Sequence, residues 1–446
     1  MTAAEPTEEL TGEVVQVLQR LIRQACVNDG TPSSGHEIRG VEVIADVLGR
    51  ALPYEVVEPA PGRGSLLARI PGTDPQAPSL ALVGHLDVVP VESGWRHDPF
   101  GGEVIDGYVW GRGAIDMLGL TASFAVVTAR LARAGWRGRG DLVLAAVADE
   151  EAGGTYGTRW LVANRPELIV TDYALTENAG IVIGEEAPAV TLTVGEKSGA
   201  GRRLVITGRP GHGSTPWRSG NAGIIAARIL TRIAANPGPV HLTPYWRGYV
   251  EAAIADPGLR ARLLAEETID GALDELGPLA AYAHAVSHLT VSPNVVRAGS
   301  KRNVIPGQAT IDLDIRAIPG QTEAAVDAYL AEVIADDADA VTVEGSGVGA
   351  PSVSPTDTAL TRAIGAAVQA HYPGARTLPV IMPGGTDAKA LRAAGADAYG
   401  FGLFSRRWDL ATFRSLFHGT DERIDIDSLA LTAQALETTI RGLHQR

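Results

Sequence analysis

Between Asp141 and the triplet Asp149, Glu150, Glu151 the chain runs LVLAAVA, an apolar stretch of strand length that ends on three adjacent carboxylates. A strand with no polar residue on either face must be covered on both sides, which favours a parallel sheet held between helices. The neighbouring sequence agrees. Helical spacing around 8–27 and 36–50, short apolar strands at 65–70 and 79–84, and the apolar-spaced run LGLTASFAVVTARLARAG at 118–135 give α/β alternation. The expected fold is therefore a doubly wound, mostly parallel sheet, with active residues at the carboxyl ends of its strands. At 446 residues the chain also exceeds one ordinary core. Near 194 the pattern changes to an alternating strand in VGEKSGAGRRLVITG and a helix in NAGIIAARILTRIAANP. Strands in LTVSPNVVRAG and QATIDLDIRAI, a helix at 322–336 and a strand in VTVEGS follow. We expect an inserted α+β unit with an antiparallel sheet at 194–348, ending in GSGVGAPSVSP, within a discontinuous domain of 1–193 and 349–446.

Hydrophobic residues make up 45% and charged residues 20%, the balance of a folded protein. The formal net charge of −14 argues against nucleic acid or an anionic membrane as partner, since both call for clustered Lys and Arg. The first residues lack a basic segment followed by an apolar one, no run of eighteen apolar residues occurs, and a lone cysteine cannot form an internal disulfide. These features lead us to expect a cytoplasmic protein. Cys26 falls among the apolar positions of the first helix and reads as a buried structural thiol.

Five segments concentrate His, Asp and Glu after apolar strands or in Gly-rich loops. In SLALVGHLDVVP, His85 ends a strand and Asp87 faces the same side, so its carboxylate could orient the imidazole. Alone, a strand-end histidine is more often an ordinary polar residue. Asp116 in WGRGAIDM precedes the long helix, and as a single observation it reads equally well as a helix cap. The triplet at 149–151 is harder to dismiss, because adjacent carboxylates repel and a buried strand end tolerates them where cations are present. Glu177 in DYALTENAG and His418 in LFHGTDERI each have a rival reading as surface turns. Together, His85, Asp116, Glu151, Glu177 and His418 form a mixed nitrogen and oxygen set suited to zinc or a similar divalent ion. If one carboxylate bridges, five residues give each of two metals three protein ligands. Glu150 is then left over, a carboxylate able to take a proton from water and deliver it to a leaving amine.

The ordered motifs GHLDVVP, WGRGAIDM, ADEEAGG, ALTENAG, GRPGHGS, RNVIPG, DLDIR, MPGGTDA and FHGTDE resemble the dizinc hydrolases that include aminoacylase, acetylornithine deacetylase, succinyl-diaminopimelate desuccinylase and glutamate carboxypeptidase. The resemblance covers essentially the whole chain. It implies two divalent ions, zinc first and cobalt or manganese as substitutes. Asp116 would bridge them, with His85 and Glu177 on one and Glu151 and His418 on the other. It implies Glu150 as general base and acid, and Asp87 as the residue holding His85. It also implies a ferredoxin-like inserted lid, with homodimerisation through that insert as one of its uses. His212 in GRPGHGS would stabilise the oxyanion, and Asn303 and Arg316 would contact substrate polar groups. Gly384, Gly385 and Thr386 would offer backbone N–H groups to a substrate carboxylate. For Arg316 an exposed charge on a sheet face is an equal reading, and for the glycines a simple turn is the rival. One departure is Leu118, where the family commonly has lysine after the methionine, and this loosens any transfer of substrate preference. The longer 236–290 segment resembles the dipeptidase-like and acyl-amino-acid branch.

These readings converge on hydrolysis of the amide bond of a small peptide or N-acyl amino acid. Two alternatives stay open: a non-catalytic metal-binding homologue, and a metal-dependent deaminase or other C–N hydrolase acting on a non-peptide compound.

Overall fold

The computed structural model describes residues 7–184, 188–349 and 352–445. It divides into two compact units, one of residues 1–195, 353–380 and 386–446, the other of 196–352 and 381–385. Two residues of the GSGVGAPSVSP boundary, 350 and 351, lie outside the described residues.

The first unit is built on a ten-stranded sheet. Its centre is parallel: Leu142–Val147, Leu80–His85, Tyr173–Thr176 and Asp397–Gly400 lie side by side in that order. These strands are buried almost throughout, which is why they carry Val, Leu and Ala rather than an alternating pattern. On one flank Ser65–Ile70 and then Tyr54–Val57 add antiparallel. On the other, Ala189–Glu196 runs antiparallel to Asp397–Gly400. Helix Leu118–Arg133 covers one face and approaches closely: a Cβ on Gly84 would lie 2.4 Å from Thr121 Oγ1. Helices Thr7–Gln24, Ala359–His371 and Ile426–His444 complete that layer.

Register fixes where the chemistry falls. His85 pairs with Val147 and Leu82 with Leu175, so the ends of three adjacent strands come level. His85, the 149–151 triplet and Glu177 therefore emerge at one edge, the carboxyl edge of a parallel sheet.

The second unit follows the order strand Arg202–Thr207, helix Ala222–Ala235, strands Thr290–Ala298 and Gln308–Ala317, helix Glu323–Ile334, strand Val341–Glu344. Antiparallel pairing places Gln308–Ala317 between Thr290–Ala298 and Arg202–Thr207, with Val341–Glu344 beyond. This βαββαβ arrangement is ferredoxin-like. Alternate residues of Gln308–Ala317 turn inward, where Ile311, Leu313 and Ile315 meet Ile229, Val326 and Leu330 of the two helices. Residues 244–287 fold into short helices.

Two expectations change. The segment 194–208 is not one strand, because Ala189–Glu196 is buried on both faces and belongs to the large sheet, whereas Arg202–Thr207 alternates and belongs to the small one. Cys26 lies beyond the first helix, which ends at Gln24. It is buried, and desolvation pushes its thiol up to about 11. Among the described residues no helix is long and apolar enough to cross a membrane.

Candidate metal centre

The sheet edge and two loops bring five side chains together in two overlapping groups. His85, Asp116 and Glu177 form one; Asp116, Glu151 and His418 form the other; in each group the ligand atoms all lie within 4.8 Å of one another. Asp116 belongs to both. Its Oδ1 is 3.3 Å from His85 Nε2, and its Oδ2 is 3.4 Å from His418 Nε2. His85 Nε2 also lies 3.9 Å from Glu177 Oε2, and His418 Nε2 lies 3.2 Å from Glu151 Oε2.

The donor set fits cations. Glu177 Oε2 and Glu151 Oε1 are buried and have no hydrogen-bond partner among the described residues, which is costly for a carboxylate oxygen unless a ligand meets it. Desolvation, with Asp116 and Glu150 nearby, raises the Glu177 carboxyl well above its ordinary value. Glu151 is raised by burial and by Asp116, and Glu150 is raised well above its usual range by burial, Asp387, Glu151 and Asp116. Burial would raise Asp116 too, but hydrogen bonds with His418 and His85 hold it well below. Asp116 and Glu151 in turn push His418 up to about 10. Burial first, and like-charged neighbours after it, raise the three glutamates, and bound divalent ions would offset both effects.

The surroundings orient each group. His85 Nδ1 lies 2.9 Å from the main-chain oxygen of Asp87. With a metal ion bound, a proton there would leave the Nε2 lone pair free to coordinate it. The Asp87 carboxylate, expected to hold the imidazole, is 3.7 Å from Nδ1. It instead accepts the N–H groups of Glu150 and Glu151 at 3.2 and 3.1 Å and the Asn28 amide at 2.9 Å. The shortness of the connection from His85 explains this: two residues on, the main chain is nearer the ring than the side chain.

The triplet does not act as three equivalent acids. Asp149, in the left-handed region at φ 68°, turns away from the other two. Its Oδ1 accepts Arg63 Nη2 at 2.6 Å and Asn28 Nδ2 at 3.1 Å, and its Oδ2 accepts the Tyr156 N–H. Arg63 also makes a bidentate pair with Glu37 at 2.8 and 2.7 Å. The cation that Asp149 needs is thus an arginine, and Glu150 and Glu151 alone face the cluster.

On the opposite side, buried Glu422 accepts the N–H groups of Ile115 and Asp116 at Oε1 and those of Gly113 and Arg112 Nη1 at Oε2. Sequence reasoning passed over Asn28, Glu37, Arg63, Arg112 and Glu422. Glu422 and Arg112 each sit four residues from a predicted ligand, His418 and Asp116, and that spacing inside a motif was the available signal. Arg63 in GRGS offers none.

Of the other predicted site residues, His212 and Asn303 are neighbours on the second unit. His212 pairs with Val304, and Asn303 O accepts the Gly213 N–H at 2.9 Å. His212 is exposed, and its Nδ1 accepts the Ser214 N–H, which puts the ring proton of the neutral form on Nε2. Arg316 is exposed and pairs with Asp314 at 3.2 Å. Gly384 and Gly385 belong to the second unit and Thr386 to the first, where Thr386 Oγ1 accepts the Ala388 N–H.

Two imidazoles and three carboxylates, brought together by the carboxyl edge of a parallel sheet and two loops, make a candidate metal centre of the kind hydrolases use. A model of the peptidase family M20/M25/M40 matches residues 81–442, and the chain belongs to that family, a hydrolase acting on C–N bonds. Mouse aminoacylase-1 is 27% identical over 435 residues, spanning 96% of this chain and 94% of the relative. The M20 family metallo-carboxypeptidase Sso-CP2 from Sulfolobus solfataricus shares the fold with a TM-score of 0.71 at 17% identity, covering 97% of this chain and 100% of that one. Human carnosine dipeptidase 1 does so with a TM-score of 0.67 at 17% identity, covering 99% and 98%.

Proposed function

We propose that the protein is a two-metal hydrolase cleaving the amide bond of small peptides or N-acyl amino acids. The observation that carries this reading is the shared Asp116, whose two oxygens each face the imidazole of a different three-residue group. His85 and Glu177 would hold one ion, Glu151 and His418 the other, and Asp116 both. Zinc suits this donor set, with cobalt or manganese as substitutes. When bound, the ions would polarise the scissile carbonyl and make water acidic enough to serve as nucleophile near neutral pH.

Glu150 is the proton carrier in this account. Its N–H is fixed by Asp87, and desolvation raises its carboxyl well above the ordinary carboxylate range, which favours its taking up a proton. It takes a proton from the attacking water and gives it to the departing amine nitrogen. His212, with its proton on Nε2, is suited to donate to an oxyanion. Asn303, Arg316 and the main-chain N–H groups of Gly384, Gly385 and Thr386 are proposed substrate contacts, supported by motif resemblance. The substrate class follows the similarity to aminoacylase-1 and carnosine dipeptidase 1.

The test is a panel of dipeptides and N-acyl amino acids on zinc-, cobalt- or manganese-loaded protein, with Glu150→Gln in parallel. We expect released amino acid, and a loss of about 10²-fold or more in Glu150→Gln with metal content unchanged. Ammonia as the product would replace this substrate class with a deaminase. Substantial turnover in Glu150→Gln would remove Glu150 from its role.

A further inference from the structure

The Glu422 carboxylate is fully buried and has four donors, three of them main-chain N–H groups of the Gly113–Asp116 loop at 2.8–3.0 Å. The fourth is Arg112, itself buried, whose Nη1 reaches Glu422 at 2.9 Å. The other arm of that guanidinium, Nη2, donates to the main-chain oxygen of His418 at 3.2 Å and to that of Pro90 at 3.4 Å. A further bond runs from the Gly111 N–H to the Glu422 main-chain oxygen. One ion pair therefore ties together two loops far apart in sequence, one carrying Asp116 and the other His418.

We propose that Arg112 and Glu422 are positioning residues that set Asp116 against His418, and that they govern the affinity of the ion held by Asp116, Glu151 and His418 far more than that of its neighbour. This rests on the two-metal reading above. The asymmetry follows from what carries each ligand. His85 and Glu177 are placed by buried parallel strands whose hydrogen bonds do not involve Arg112 or Glu422. His418 sits in a loop between helix Leu410–Leu416 and strand Arg423–Asp425, with its side chain 56% exposed and its backbone at φ 56°. The Arg112 arm is the side-chain bond that reaches the His418 main-chain oxygen itself, beside the Arg96 pair with Asp421 and the Gly419 N–H on Leu416. Loosening the pair thus frees two of three ligands at one site, while the other keeps two on the sheet.

A buried fork and a carboxylate saturated by four donors are specific, so small changes should register. In Glu422→Gln, the amide nitrogen would face N–H donors whichever way it turned. In Arg112→Lys, the positive charge opposite Glu422 is kept, but one ammonium replaces a planar fork that serves Glu422 through one arm and the His418 and Pro90 carbonyls through the other.

The experiment is zinc titration of the metal-free full-length chain by calorimetry, with zinc content measured after dialysis and melting of the metal-free protein followed by circular dichroism. Wild type should bind two ions in two steps. Both variants should weaken one of the two steps by about 10–100-fold and leave the other unchanged, and Arg112→Lys should do so with the metal-free melting temperature preserved. Two steps that stay as in wild type, or that weaken equally, would overturn the inference. If Glu422→Gln fails to fold, Arg112→Lys decides alone. A wild-type chain that binds fewer than two ions would instead refute the two-metal reading on which the inference stands, an outcome distinct from two ions bound and indifferent to the substitutions.

Discussion

Arg63→Met should destabilise the first unit severely, although Arg63 touches none of the proposed metal ligands. The guanidinium is 1% exposed and is the cation between Glu37 at 0% and Asp149 at 2%. It makes three charge-assisted hydrogen bonds of 2.6–2.8 Å and lies over the Tyr156 ring at 5.1 Å. Methionine approximates the stem's volume, so the loss is chiefly electrostatic: two carboxylates stay buried without their partner. Removing one member of a buried pair costs about 3–5 kcal/mol. For a unit of this size that corresponds to a fall of about 6–10 °C in melting temperature, taking about 2 °C per kcal/mol. The pH dependence supplies an internal check. Burial already raises Glu37 against the pull of Arg63, and without the arginine its folded-state pKa rises further above the unfolded value. A carboxyl so shifted binds more protons folded than unfolded, so the variant's stability falls as pH rises. The gap from wild type should therefore be wider near about pH 8 than near about pH 5. Adding Glu37→Gln to the variant should recover part of the loss. The assay is thermal unfolding of metal-free protein by circular dichroism across that range. A variant melting with wild type at both ends would refute the view that Arg63 neutralises this buried pair.

Other perturbations give similarly definite outcomes. A Cβ on Gly400 would sit 1.9 Å from the main-chain oxygen of Glu177, so Gly400→Ala should cost about 1–3 kcal/mol and weaken zinc binding together, read by melting and titration. His444 is buried, its Nδ1 accepts the Gly140 N–H, and desolvation lowers it to about 4. Its folded pKa lies below the unfolded value, so its contribution is complete above about pH 6.5 and declines as pH falls, by up to about 2 kcal/mol at about pH 5. His444→Gln should flatten that part of the stability profile, and an unchanged acid slope would count against the assignment. Stripping the protein with a chelator should lower the melting temperature, and returning zinc at a thousand times a site's Kd should restore about 4 kcal/mol for that site; a melt insensitive to chelation and to added zinc would contradict binding at this cluster.

Much of this was legible in the sequence because parallel strands buried on both faces read as unbroken apolar runs. Leu80–His85 and Leu142–Val147 announce themselves that way, and the polar residues just past them stand at the carboxyl edge where sites form. Asp116 and Glu177 were weaker signals singly, since a helix start or a turn accounts for either; only their joint presence with His85, Glu151 and His418 pointed to a metal. What supports those ligands was hidden. Arg63 and Glu422 look like ordinary surface charges in loops and Glu37 like one at a helix start, and nothing local says that the chain folds over them. Asp149 misled for the same reason, since its partner arrives from 86 residues away. The strand after 189 was similarly misread because one chain segment serves two sheets, changing from buried to alternating within a few residues.

The account turns on two ions sharing Asp116. Diffraction from zinc-soaked crystals, with anomalous data collected at the zinc edge, addresses that directly. We predict two peaks about 3.5–4 Å apart on either side of the Asp116 carboxylate, one within reach of His85 and Glu177, the other of Glu151 and His418. A single peak, or two that do not share Asp116, would contradict it.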